Sequence, residues 1–155
     1  MNILFICSGN TCRSPLAEMI ARRILAEHHL DAETCSAGIL TADGIPWSEH
    51  TLSIAAQQGL DTQGHRSVQV RQEHLNRADL ILVMASRHLE SLKRMFPEET
   101  FRDKTFLLKE YLDATTDGNN EVRDPYGESL NSYLEVTAEL ERILCKLPDK
   151  LLTDH

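Results

Sequence analysis

Ile3-Leu4-Phe5-Ile6-Cys7-Ser8-Gly9-Asn10-Thr11-Cys12-Arg13-Ser14-Pro15 is the stretch whose reading decides the fold. Its first four residues are apolar without a break, as in a short strand buried on both faces. Ser8-Gly9-Asn10 stops that strand. Ser14 reads as a helix N-cap with Pro15 at the first helical position. From there Leu16, Met19, Ile20, Ile24 and Leu25 share one face at helical spacing, to about His29. A strand that passes through a glycine-containing loop into a helix makes an anion site. Backbone N–H groups converge there, and the helix N-terminus adds partial positive charge.

Outward from this stretch, strands and helices alternate. Glu33 to Ala37 reads as a strand stopped by Gly38, and Leu40 to Trp47 as a surface loop. Ser48 to Gln58 reads as a helix, Asp61 to Val70 as irregular and polar, and Arg71 to Arg77 as a short helix. Asp79 to Met84 is the clearest buried strand, apolar after its first residue, followed by a helix from Arg87 to Met95. Thr105 to Leu108 reads as the last strand, Ala114 to Arg123 as a polar loop, and Ser129 to Lys146 as a long helix. Alternation of this kind calls for an α/β three-layer sandwich: a four-stranded parallel sheet with helices on both faces, joined by right-handed crossovers. Its ligand belongs outside the carboxyl ends of the strands, where Cys7 lies. Residues 1–148 read as a single domain and 149–155 as a C-terminal tail that frays after Pro148.

The bulk numbers agree with one soluble domain. The chain has 155 residues, 41% hydrophobic, with a net charge of −8. That charge argues against nucleic acid or an anionic membrane as partner, so an anionic ligand needs a local positive site. No apolar run approaches the roughly 20 residues that span a bilayer, and no secretory signal opens the chain. The default location is the cytoplasm, with cysteines reduced. Cys35 and Cys145 read as small core residues. No cysteine pair has metal-ligand spacing, so no metal is expected.

Within the loop, Cys7 stands six residues before Arg13. A thiolate is the nucleophilic form of cysteine, and the helix end, the loop amides and Arg13 all favour it. Arg13 can grip two phosphoryl oxygens at once, which lysine cannot. Ser14 can donate its hydroxyl to the departing thiolate. Asn10 suits the left-handed backbone that such loops need. Cys12 can pair with Cys7 in a protective disulfide or simply pack beneath the loop.

These residues resemble the signature loop of the low-molecular-weight protein tyrosine phosphatases. The resemblance continues through Ser36-Ala37-Gly38, His65-Arg66-Ser67, Ala78-Asp79 and Asp124-Pro125-Tyr126-Gly127, nearly the whole chain. It implies a protein phosphatase that needs no cofactor and acts on phosphorylated proteins. Cys7 is then the nucleophile, Arg13 the phosphate clamp and Asp124 the general acid and base. Ser8, Gly9, Asn10, Thr11, Cys12 and Ser14 complete the phosphate loop, with Ser36 and His65 supporting it. A monomer is the favoured state.

Specificity rests on Thr11, Leu40 and Tyr126. Thr11 stands where tyrosine-specific members have an apolar residue, and it resembles the branch that dephosphorylates arginine. Leu40 lies where many tyrosine-specific members place an aromatic wall. Phosphoarginine is therefore the favoured substrate, with phosphotyrosine the alternative kept open by Tyr126 and Trp47. An arsenate reductase would need further cysteines between Asp79 and Met95, and there are none. A non-catalytic phosphate-binding module would not need Cys7, Arg13 and Asp124 together.

Overall fold

The computed structural model describes residues 1–154. Four strands, β1 (Asn2–Cys7), β2 (Glu33–Gly38), β3 (Leu80–Val83) and β4 (Thr105–Leu107), form one parallel sheet in the order β2-β1-β3-β4. Asn2 to Cys7 face Glu33 to Gly38 in register on one side, and Ile3 to Ile6 face Leu80 to Val83 on the other. The connections leave β1 toward one edge and return to β3 on its other side. The carboxyl ends of these two neighbours therefore flank the switch point.

Helices cover both faces. They are α1 (Arg13–Glu27), α2 (Glu49–Gln57), α3 (Gln72–Arg77), α4 (Ser86–Met95), α5 (Leu108–Tyr111), α6 (Leu130–Leu144) and α7 (Leu147–Asp154). The period-two alternation of the strands sorts the core. Ile3, Phe5, Leu80 and Leu82 pack with Leu16, Ile54, Leu140 and Leu151 of α1, α2, α6 and α7. Leu4, Ile6, Ile81 and Val83 point the other way, onto Leu75 of α3, Leu92 of α4 and Phe101. Burying each such side chain stabilises the fold by about 1.5–3 kcal/mol. That apolar sandwich holds the carboxyl end of β1 rigid.

Several local expectations give way. The helix begins two residues earlier than expected, at Arg13 instead of Pro15: Cys12, not Ser14, occupies the N-cap, and no side chain caps it. Pro15 still lies in the first turn, where a missing N–H costs no hydrogen bond. Ser14 is thereby released from capping for work inside the loop. Cys35 and Cys145 are exposed residues, not core ones, although burial still pushes the Cys35 thiol up to about 11. The tail expected to fray forms α7, anchored by buried Leu147, Pro148 and Leu151. Pro148 again sits in a first turn. Trp47, placed in a surface loop by its neighbours Gly44 and Pro46, is buried in the larger core.

Candidate active site

The segment after Cys7 is gripped from three directions. On the β2 side, Ile39 N–H donates to the Cys7 carbonyl at 3.0 Å and Leu40 N–H to the Ser8 carbonyl at 3.0 Å. Gly38 permits this approach, since a Cβ there would stand 2.8 Å from the Ser8 carbonyl oxygen. Glycine is thus required by space, not by its backbone angles. In the middle, buried Asn10 takes a φ of +54°. Its amide donates to Ser14 Oγ and Ser36 Oγ, each at 2.9 Å, while its Oδ1 accepts from Val68 N–H at 2.8 Å. On the far side, the Thr11 carbonyl accepts from Ser48 N–H at 3.1 Å and from Thr51 Oγ1 at 2.9 Å.

Cys7 Sγ lies 2.9 Å from Ser14 Oγ. The Arg13 side chain is almost wholly buried, its Nη1 donating to the Val122 carbonyl at 3.1 Å and its Nη2 standing 3.5 Å from Asp124 Oδ2. Asp124, 117 residues from Cys7 in sequence, is thus brought to the loop by the segment between α5 and α6. Its Oδ1 accepts from Tyr126 N–H at 3.1 Å, and Arg87 Nη2 stands 3.9 Å from its Oδ2. A cleft of about 260 Å³ opens over these groups, lined also by half-buried Ser8 and Thr11 and by exposed Leu40 and Tyr126. Leu40 and Tyr126 are 85% and 79% exposed, so they have little packed behind them.

Ser36 and His65 reach the loop by different routes. Ser36 bonds Asn10 directly, while His65 Nδ1 lies 3.5 Å from Glu18 Oε2. Glu18 links them: this fully buried carboxylate accepts from Ser36 Oγ at 2.9 Å and from Arg22 Nη2 at 2.7 Å. Glu18 has no motif to mark it: in α1 its sequence neighbours Leu16, Ala17, Met19 and Ile20 are apolar, with Arg22 four residues on. A second unforeseen residue is His88 of α4, buried, with Nε2 2.9 Å from Ser8 Oγ. Burial pushes its imidazole down to about 3, aided by Arg13 and Arg87. Cys12 is buried within the larger core, and that burial pushes its thiol up to about 12. The packing role of Cys12 follows directly, whereas attack on an oxidised Cys7 would require a thiolate that burial disfavours. Trp47 is only 3% exposed and lies away from the cleft.

The sequence profile of the family described as low molecular weight phosphotyrosine protein phosphatase matches residues 2–155. The chain belongs to that family. It is a phosphatase with relatives of two named specificities. It is 36% identical to a protein-arginine-phosphatase of Geobacillus stearothermophilus, across 99% of this chain and 97% of the relative. It is also 36% identical to the low molecular weight protein-tyrosine-phosphatase Wzb of Escherichia coli K12, across 91% and 88%. Among solved structures, a YwlE arginine phosphatase superposes with a TM-score of 0.91 at 32% identity, covering 100% of this chain and 98% of that one. That structure is a cysteine-to-serine variant with a phosphorylated active-site serine.

Among the described residues, no group of three or more histidine, cysteine or carboxylate side chains is placed to hold a metal ion. No described helix of the phosphatase is long and apolar enough to cross a membrane.

Proposed function

We propose that this phosphatase hydrolyses phosphoarginine in proteins through a phosphocysteine on Cys7. Loop amides and Arg13 receive the phosphoryl oxygens, which take over donors that Arg13 now directs toward Asp124. Cys7 Sγ attacks phosphorus, the P–N bond breaks, and Asp124 gives its proton to the departing guanidine nitrogen. In the second step Asp124 takes a proton from water as the water oxygen attacks phosphorus. The S–P bond then breaks, inorganic phosphate leaves, and Ser14 Oγ, 2.9 Å away, donates to the thiolate. Charge that shifts during both steps falls on groups already in place, which is the main source of acceleration in such sites. The phosphorylated active-site serine of the YwlE variant supports the covalent route.

The substrate choice is carried by Thr11 in the cleft lining. Its hydroxyl hangs over Gly9, 3.8 Å from where a Cβ on that glycine would lie. A hydroxyl there can bond a guanidinium N–H, and the aliphatic Leu40 lining the cleft offers no aromatic wall for a phenyl ring. The arginine-phosphatase relative points the same way. Phosphotyrosine is the second reading, favoured by Tyr126 in the cleft lining, where a ring could stack. Trp47 no longer supports it, being core. We further propose that the enzyme acts as a monomer in the cytoplasm.

Initial rates on phosphoarginine and phosphotyrosine peptides decide between the two. The wild type favours phosphoarginine, and Thr11→Ile shifts the ratio by about tenfold toward phosphotyrosine. A ratio untouched by Thr11→Ile would remove the specificity argument.

A further inference from the structure

His88 touches the phosphate loop without any part in the chemistry above. Its Nδ1 accepts from the Ala85 backbone N–H at 3.1 Å. A nitrogen that accepts carries no proton, so the ring's single proton sits on Nε2. Nε2 lies 2.9 Å from Ser8 Oγ, and the bond therefore runs in one direction, from the imidazole to the hydroxyl. Ser8 Oγ has no other partner among the described residues, and Ser8 lines the cleft together with Cys7. With its oxygen committed as acceptor, the Ser8 hydrogen cannot return to His88. It is left to the cleft.

We propose that Ser8 is a side-chain donor to the substrate's phosphoryl group and that His88 is the positioning residue that aims it. This rests on the cleft being the phosphatase site. The ring is 1% exposed and fixed at both nitrogens, so the hydroxyl is oriented before substrate arrives. Such preorganisation is what makes one neutral donor worth having in a site already rich in backbone N–H groups. The depressed imidazole keeps this arrangement neutral across the working pH range.

Two substitutions separate this role from mere packing. Ser8→Ala removes the donor. His88→Asn keeps an oxygen near the Nδ1 position for the Ala85 N–H but cannot reach Ser8. We expect each to lower kcat/KM on an aryl phosphate by about tenfold and to weaken inhibition by inorganic phosphate similarly. We expect the double variant to be no worse than either single one, because both remove the same interaction. Ser8→Thr, which keeps a hydroxyl, restores most of the rate. Wild-type inhibition by phosphate in Ser8→Ala would overturn the proposal, as would His88→Asn losing as much again in the Ser8→Ala background. If the wild type shows no turnover that Cys7→Ser abolishes, the phosphatase site itself has been misplaced, a different failure from a silent Ser8→Ala in an active enzyme.

Discussion

The loop from Cys7 to Ser14 is largely buried and tied down through side chains, whereas the segment from Ala114 to Glu128 lies mostly exposed. Asn10, Ser14, Ser36 and Glu18 form a continuous polar chain under the first. The second turns through left-handed residues at Asp117, Gly118 and Gly127 and is anchored chiefly at buried Val122 and Pro125. Val122 N–H donates to the Met84 carbonyl at 2.9 Å, and its own carbonyl receives Arg13. One half of the site is preorganised for a group that never changes, the phosphoryl. The other half presents a carboxylate on a segment that tolerates different leaving groups. The division of labour predicts distinct failures on the two sides.

The largest failure should follow loss of the bidentate clamp. Arg13→Lys keeps the charge but not the fork, and kcat/KM should fall by roughly 10³-fold, with a smaller loss of stability because the buried bond to the Val122 carbonyl goes too. Next comes the exposed half. Asp124→Asn should cost roughly 10²-fold with poor leaving groups and much less with an activated aryl phosphate, because only the poor ones need the proton. An equal loss on both substrates would make Asp124 part of the phosphate cradle instead.

Glycines sharpen the contrast at smaller scale. Gly38→Ala drives a Cβ to 2.8 Å from the Ser8 carbonyl and 2.9 Å from Thr41 Cγ2, so β2 or the loop must shift. A drop of about tenfold in kcat/KM is expected, with destabilisation of about 1–3 kcal/mol. Gly118→Ala meets nothing within 4 Å, but φ is +75°. It should cost about 1 kcal/mol of stability and leave kcat/KM alone. Activity assays beside urea unfolding distinguish the two patterns.

Away from activity, the account also predicts a pH dependence of stability. His88, facing Arg13 and Arg87, is held neutral in the fold at about 3 against an ordinary 6.5. Its contribution is complete above 6.5 and is lost as pH falls toward about 3, because the unfolded chain binds the proton first. By about pH 5 the loss should be on the order of 2 kcal/mol. Urea unfolding of wild type and His88→Asn at neutral and acid pH tests this: the variant should show the shallower decline.

The preorganised half was legible in the sequence because its signals are local. A buried run, a glycine-containing loop and a helix start lie within fifteen residues, and strand alternation supplied the parallel sheet. The exposed half required the family resemblance, since Asp124-Pro125-Tyr126-Gly127 alone is an ordinary turn sequence. Glu18 and His88 escaped because their partners, Ser36 and Ser8, are distant in sequence, and nothing near His88 announces burial of a polar group. Glu18 left one trace, an apolar surround within α1 that exposes no face for a carboxylate, with Arg22 four residues on. The helix α7 was hidden by Pro148, a residue that breaks helix interiors but not first turns.

The covalent intermediate is the central claim, and it can be seen directly. Asp124→Asn, mixed with an activated aryl phosphate and rapidly quenched, should accumulate enzyme carrying one phosphoryl group. Peptide mass spectrometry should place that group on Cys7, and Cys7→Ser in the same background should sustain no turnover of the aryl phosphate. Phosphate found on another residue, or steady turnover by Cys7→Ser, would contradict the account.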